Sequence, residues 1–302
     1  MRHHSIVTYG NMNPMQPDPE IAHVSDTALL TAAARALETE RPDGLIRDPF
    51  AAQLAGGRGM AIFKTIKAGE RLLFGMAIRT RFLDRLVTET VEAHAIQTVL
   101  CLGAGLDSRP WRLPLPAGLR WVEVDFRPML DYKDSILAGS TPTCRRKTLA
   151  ADVTDPADRG LIWAEAQGPT LVITEGLLMY LPAPAVAALA ATSSAQYWLL
   201  EAVTADLLRN VGAYSQSVQN VRAEDHLEGG EILDVMSRQG WIGMRHLNYS
   251  TDLMAVAAER VFNMFRDLPQ DQIPKPQSAS DVSGVHLLCR PGLPASQNPL
   301  SS

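Results

Sequence analysis

Residues 99–113, VLCLGAGLDSRPWRL, indicate the class of fold. The stretch begins as an apolar run typical of a buried strand and then turns at Gly103 and Gly105. A strand that ends in glycines is where a doubly wound α/β sheet binds nucleotides, because the absent side chains let a ligand approach the backbone. Prolines follow closely at Pro110 and Pro114, and they prevent a long helix from starting there. The stretch therefore predicts a nucleotide site that lacks the helix on which a dinucleotide seats its pyrophosphate.

Composition limits the class of protein. The chain has 302 residues, 46% of them hydrophobic, and a formal net charge of −5 at pH 7, which fits one domain with a full core. Its arginines are scattered, so we expect a small-molecule partner and no nucleic acid. Three widely spaced cysteines without a C-x-x-C pair indicate reduced thiols and a cytoplasmic protein.

The two ends and one apolar segment require separate interpretation. Residues 1–24 lack the apolar stretch of a secretory signal and are predicted to be a flexible leader, and residues 291–302 a flexible tail. Residues 176–200 contain no charged side chain, but Pro182 and Pro184 interrupt them, so no membrane span is expected. Residues 25–290 are left as a single domain.

Seven short apolar runs predict the strands of an α/β sheet that is mostly parallel, because helical segments separate most of them. The runs are TVLCL, RWVEV, RKTLAA, TLVIT, YWLLEA, WIGMRHL and GVHLLCR. Residues 25–95 have helical spacing and predict a helical cap before the sheet, with its second helix ending at Gly56-Gly57. Residues 96–290 form the sheet core, with an insertion at about 204–228 after the fifth strand.

Three successive predicted strands end in a carboxylate, namely Asp125, Asp152 and Glu175. Ligands of such sheets bind at the carboxyl ends of the strands, and a carboxylate there needs a donor to offset its desolvation. S-adenosylmethionine suits the pattern, since it has an adenosine, no phosphate and an amino-acid tail. Asp125 is expected to accept the ribose hydroxyls and Glu175 the ammonium of the tail. Asp152 either meets the adenine amino group, with Val153 on the ring, or caps the following helix.

The carboxylate of the same tail needs a cation. The candidates are Arg81, Arg79 and Arg35, which precede the sheet on predicted helices. Each of them is open to the alternative that it is an ordinary solvated helix residue.

Several motifs together resemble the leucine carboxyl methyltransferase family, in its bacterial branch of S-adenosylmethionine-dependent O-methyltransferases. They are SDTALLTAAARALE, DPFA, RTRFLD, LGAGLDSR, VEVDFRPMLDYK, ADVTD and EGLLMYL, and they span residues 24–181. The resemblance implies a class I methyltransferase fold. It also implies the site residues: Gly103 lining the cofactor, Asp125 at the ribose, Asp152 and Val153 at the adenine, Glu175 at the ammonium, Arg81 at the carboxylate with Arg35 nearby, and Tyr180 near the acceptor.

The reaction implied by the resemblance is methyl transfer to an oxygen, with a carboxylate preferred. The insertion at about 204–228 departs from the family members that methylate a protein tail, so a small secondary-metabolite-like acid is the preferred acceptor. A carboxylate is already ionised at neutral pH, which agrees with the lack of an evident catalytic base; no metal is expected. Two alternatives stay open. One is an NAD(P)-dependent oxidoreductase, and the other is a non-catalytic protein that binds S-adenosylmethionine. The sequence does not indicate an oligomeric state.

Overall fold

The protein is described by a computed structural model that covers residues 24–66, 69–204, 227–266 and 281–290. The predicted leader up to residue 23, residues 205–226 of the predicted insertion and the predicted tail at 291–302 lie outside the described residues.

The described elements alternate in the order that the apolar runs predict. The strands are β1 (Thr98–Leu102), β2 (Arg120–Asp125), β3 (Arg145–Ala150), β4 (Thr170–Thr174), β5 (Tyr197–Ala202), β6 (Ile242–Asn248) and β7 (Gly284–Cys289). The α-helices are α1 (Val24–Glu40), α2 (Ala51–Thr65), α3 (Gly69–Ala93), α4 (Arg109–Arg112), α5 (Arg127–Leu137), α6 (Pro156–Ala164), α7 (Ala183–Thr192), α8 (Gly229–Arg238) and α9 (Leu253–Phe265), with a short 3-10 turn at Leu178–Tyr180.

The strands form one seven-stranded sheet in the order β3-β2-β1-β4-β5-β7-β6. Strands β1 to β5 pair in parallel, whereas β7 runs antiparallel to both β5 and β6, so the prediction of a mostly parallel sheet is confirmed. Because side chains alternate along a strand, β1 feeds two cores. Val99 and Cys101 join the apolar cluster on one face, and Leu100 and Leu102 join the cluster on the other.

The order of the strands reverses beside β1, since the chain passes from β3 back across β2 and β1 to β4. The carboxyl ends of β1 and β4 therefore flank the crevice in which doubly wound sheets bind ligands. The glycine turn after β1 opens into this crevice.

The helices before the sheet differ from the sequence prediction at one position. The second helix does not end at Gly56-Gly57 but continues to Thr65, with a kink at Gly56 where φ is +55°. Glycine tolerates this left-handed conformation, so the chain changes direction there and resumes the helix. Among the described residues, no helix is long and apolar enough to cross a membrane.

Candidate active site

The glycine turn between β1 and α4 has the conformation that only glycine adopts readily. Gly103 has φ +64° and Gly105 has φ +43°. A Cβ atom on Gly103 would lie 3.0 Å from Leu177 Cδ1, so a side chain there would crowd the segment that follows β4. The next helix, α4, has only four residues, as the prolines predict. The long helix that would seat a pyrophosphate is therefore not found after this turn.

Asp125 is the last residue of β2 and is hydrogen-bonded to the glycine turn. Its Oδ2 accepts a hydrogen bond from the backbone N–H of Gly105 at 2.7 Å, and its Oδ1 accepts one from Phe126 at 2.7 Å. Burial raises the pKa of Asp125, and these two backbone donors oppose that shift. A carboxylate has about four acceptor positions, so Asp125 keeps the capacity to accept two ribose hydroxyls.

Asp152 follows β3 and forms a local turn. Its Oδ1 accepts hydrogen bonds from the backbone N–H and the hydroxyl of Thr154, at 2.8 and 2.7 Å. The alternative that Asp152 caps the next helix is wrong, because Asp155 is the residue that caps α6, accepting from Ala157 and Asp158. Val153 is buried in the apolar cluster beside Asp152.

Glu175 follows β4 and is the centre of an ionic network that we call the front network: Asp84, Arg109, Glu175, Arg79 and Glu201. Arg109 Nη1 donates to Glu175 Oε2 at 2.7 Å, and Arg79 Nη2 lies 2.9 Å from Oε1. Burial favours the neutral acid, but the guanidinium of Arg109 and then that of Arg79 hold the pKa of Glu175 far below its usual range. Glu175 is thus an anion in the cleft at any physiological pH.

The three arginines proposed for a ligand carboxylate have different positions. Arg79 lies against Glu175, with its side chain only 11% exposed. Arg81, two residues further along α3, is exposed to solvent, so the structure does not bring it to Glu175. Arg35 is buried and already engaged: its Nε donates to Asp48 Oδ2 at 2.8 Å, and its Nη2 donates to the carbonyl of Leu106 at 2.7 Å. Among the three, the structure thus joins Arg79 to Glu175.

Tyr180 ends the short 3-10 turn after Glu175. It packs against an apolar cluster of the helices before the sheet, formed by Leu30, Ile62 and Leu72. This position places it between the end of β4 and those helices, as expected for a residue at the edge of the crevice. Its role toward an acceptor stays a prediction.

Sequence reasoning missed three members of the front network, namely Arg109, Asp84 and Glu201. Arg109 is 2% exposed and joins Glu175 to Asp84, whose Oδ1 lies 2.7 Å from Arg109 Nε. Glu201 is the penultimate residue of β5. Arg79 Nη1 lies 3.4 Å from its Oε2, and the Tyr249 hydroxyl donates to its Oε1 at 3.0 Å. Glu201 is the penultimate residue of the run YWLLEA, so a rule widened from the residue after each run to the last residues of the run would also identify it. Arg109 had no comparable signal.

The two carboxylates that contact Arg79 differ in the direction of their pKa shifts. Burial, together with neighbouring Glu175, raises the pKa of Glu201, while Arg79 opposes that shift. The pKa values of these two carboxylates are therefore shifted in opposite directions.

No group of three side chains suited to a metal ion occurs within the ranges that the structure describes.

Comparison with known proteins places these residues in a family context. A profile of the family described as leucine carboxyl methyltransferase matches residues 28–194, more than half of the chain. A protein of Mycobacteroides abscessus named "Putative S-adenosyl-L-methionine-dependent methyltransferase" is 41% identical over 177 residues, which cover 55% of this chain and 57% of that protein. A second protein of the same name and organism is 36% identical over 227 residues, 70% of this chain and 68% of the relative.

Two solved structures resemble the fold. A "duf574 family protein" from Streptomyces avermitilis has a TM-score of 0.53 at 16% identity, covering 86% of this chain and 97% of that one. A "putative methyltransferase" from Thermobifida fusca has a TM-score of 0.52 at 17% identity, covering 87% and 93%. At this identity they support the fold alone. The chain spans little more than half the length of the first relative named above.

Proposed function

The chain belongs to the leucine carboxyl methyltransferase family, and we propose that it transfers a methyl group to an oxygen of a small organic acid. Its cofactor is S-adenosylmethionine, which supplies an electrophilic methyl group on a sulfonium when bound. The observation that carries the proposal is the 2.7 Å hydrogen bond between Asp125 and the Gly105 amide, because it joins a nucleoside-type carboxylate to a turn that has no pyrophosphate seat.

The residues present fit this cofactor. The turn at Gly103 lacks a side chain where a Cβ would meet Leu177 at 3.0 Å, so the backbone itself lines the crevice. The carboxylates at the ends of β2, β3 and β4 match a ribose, an adenine amino group and an ammonium. A ligand with a phosphate would instead meet three anions at these ends.

Each part of the cofactor has an assigned partner in this proposal. Asp125 holds the ribose, and Asp152 with Val153 holds the adenine. Glu175 accepts the ammonium, since its lowered pKa keeps it charged. Arg79 binds the carboxylate in place of Arg81, because a guanidinium has five donors and can hold Glu175 and a second carboxylate together.

The acceptor occupies the other half of the crevice. The cofactor partners lie at the ends of β3, β2, β1 and β4, which leaves the end of β5 and the segment that carries Tyr180 for the acceptor. A carboxylate acceptor needs no general base, so the residues have only to orient it and exclude water. Tyr180→Phe is therefore expected to lower kcat while leaving the cofactor Kd within twofold, and unchanged kcat would make Tyr180 a packing residue.

A hydroxyl acceptor is a second candidate, and Glu201 favours it. A buried carboxylate with a raised pKa is suited to accept a proton from a hydroxyl. The two candidates differ in their response to Glu201→Gln. Turnover of a hydroxyl acceptor should fall and lose its rise with pH, whereas turnover of a carboxylate acceptor should keep its pH profile.

The experiment that tests the proposal has two parts. Calorimetric titration of the purified protein with S-adenosylmethionine, and with NADH and NADPH in parallel, should show binding of the first alone; the reverse would establish the oxidoreductase alternative. Labelled methyl is then followed into a panel of small carboxylic acids and their matched alcohols and phenols. Incorporation into the acids, with a product labile to mild base, supports the ester. Cofactor binding without turnover of any acceptor would favour the non-catalytic alternative.

A further inference from the structure

Lys133 lies on α5, beside the glycine turn, and its side chain is fully buried, at 0% exposure. Its Nζ donates to the carbonyl of Asp107 at 3.0 Å and to Glu123 Oε1 at 2.9 Å, and lies 3.5 Å from the carbonyl of Ala104. Two of these three contacts are to the backbone of the turn that follows β1. Lys133 is thus a buried cation directed at the loop and away from the crevice.

Glu123 does not require Lys133 as a partner. Arg146 donates to Glu123 Oε2 from both Nε and Nη2, at 2.9 and 2.6 Å. Burying an ammonium costs more than burying a methionine of similar size, unless its hydrogen bonds compensate. Beyond its bond to Glu123 Oε1, what the ammonium adds at this position is its hold on the carbonyls of the glycine turn.

The same turn is held at its other backbone groups. Arg35 Nη2 donates to the carbonyl of Leu106 at 2.7 Å, and the Gly105 amide donates to Asp125 at 2.7 Å. Lys133 and Arg35 together thus engage carbonyls along the segment from Ala104 to Asp107. Such contacts fix a loop whose two glycines, with positive φ, would otherwise have many conformations available.

We infer that Lys133 is a positioning residue, which acts through the carbonyls of Ala104 and Asp107 to hold the glycine turn in the conformation that receives the methionyl part of S-adenosylmethionine. The affinity part of this inference rests on the proposed function. The fixing of the turn does not. Lys133 itself does not line the crevice, so its effect on a ligand passes through the backbone.

The test compares Lys133→Met with Arg146→Met. Both variants remove a cation from Glu123, and Arg146→Met also loses an ion pair with Asp134 at 2.7 Å and the stacking of its guanidinium on Trp111. Only Lys133→Met frees the loop carbonyls. Measured by calorimetry at a temperature where both variants are folded, Lys133→Met should raise the Kd for S-adenosylmethionine by about tenfold, the scale expected when a binding group is displaced slightly. Arg146→Met should stay within twofold of wild type.

A second pair keeps the comparison valid if Lys133→Met does not fold. Glu123→Gln alone retains the lysine on the turn, and Glu123→Gln with Lys133→Met removes it without leaving a buried charge unbalanced. The double variant should bind S-adenosylmethionine about tenfold more weakly than Glu123→Gln. Equal affinities within this pair would overturn the inference.

Amide hydrogen exchange without ligand supplies a local measurement that does not depend on the cofactor. The amides of Gly105 and Asp107, which donate to Asp125 and to the Ala104 carbonyl, should exchange faster in Lys133→Met than in Arg146→Met at matched global stability. Equal exchange, or equal loss of affinity in both variants, would make Lys133 a general stability residue. If wild type does not bind S-adenosylmethionine, the proposed function fails, and the exchange comparison alone decides whether Lys133 holds the turn.

Discussion

Two networks of buried charge lie near the glycine turn, and the residues at their centres differ in exposure to solvent. The rear network consists of Glu123, Lys133, Arg146 and Asp134, and the side chains of Glu123 and Lys133 at its centre are both 0% exposed. The front network, centred on Glu175, keeps 17% exposure at that carboxylate. In the rear network Lys133 donates to two backbone carbonyls of the turn as well as to Glu123, whereas the contacts that define the front network join side chains to side chains.

This difference separates the charges that hold the fold from those that can meet a ligand. The fully buried pair of Lys133 and Glu123 cannot take on a new partner without being broken, so its effect on binding is indirect. The partly exposed carboxylate of Glu175 can add an ammonium, and Arg79 can add a carboxylate, without first losing existing contacts.

The largest effect is expected at Arg109, which has features of both networks because it is 2% exposed yet faces Glu175. Arg109→Met removes the donors to Asp84 and Glu175 and leaves those buried carboxylates with fewer partners. Breaking a buried ion pair in this way costs about 3 to 5 kcal/mol, so the free energy of unfolding should fall by roughly 3 kcal/mol or more. Urea denaturation followed by circular dichroism measures it.

Arg85→Met is the matched control for Arg109→Met. Arg85 pairs with Glu89 at 2.8 Å on α3, but its side chain is 47% exposed, so less than about 1 kcal/mol should be lost. If the two variants lost equal stability, the front network would not depend on Arg109.

The next effect is expected at Asp125, where the turn meets the crevice. Asp125→Ala should weaken binding of S-adenosylmethionine by roughly 1 to 3 kcal/mol, because a charged acceptor of hydrogen bonds is lost. Asp131→Ala on α5, with a side chain 63% exposed, is the control and should bind as wild type does. Calorimetry on both variants gives the difference, and equal affinities would remove Asp125 from the site.

The central strands were predictable from sequence because they are buried on both faces. The runs TVLCL and TLVIT are apolar apart from threonine, and the strands β1 and β4 begin and end where these runs do. The kink in α2 was not predictable, since Gly56-Gly57 is as consistent with the end of a helix as with a bend inside one. Tertiary packing of the next turn of helix, where Ile62 is buried, decides between them.

The carboxylates of the site were predictable for a related reason, since each follows an apolar run directly. The cations of the site were harder to predict, because one turn of α3 carries both Arg79 and Arg81, two positions apart. Only burial in the folded protein distinguishes them. Arg109 lies in a short segment between a turn and prolines, where no periodicity indicates which way a side chain points. Its buried position follows from contacts with Asp84, 25 residues earlier in the chain, and Glu175, 66 residues later.

The smallest effect separates the two carboxylates that share Arg79. The pKa of Glu175 is lowered, so this residue contributes stability above its ordinary pKa of about 4.5, and that contribution is lost as the pH falls below 4.5. The pKa of Glu201 is raised, so its ionised form at neutral pH contributes no such stability, and protonation as the pH falls favours the folded state.

The free energy of unfolding of Glu201→Gln should therefore lie within about 1 kcal/mol of that of wild type at pH 7. Glu175→Gln should be clearly less stable, as expected when a buried partner of two arginines is neutralised. Urea denaturation of both variants from pH 7 to pH 3 tests this, and the deficit of Glu175→Gln should shrink below pH 4.5 because wild type then loses the same contribution. A larger loss of stability for Glu201→Gln than for Glu175→Gln at pH 7 would contradict the assignment. It would mean that the ion pair of Arg79 with Glu201 stabilises the fold more than its ion pair with Glu175 does.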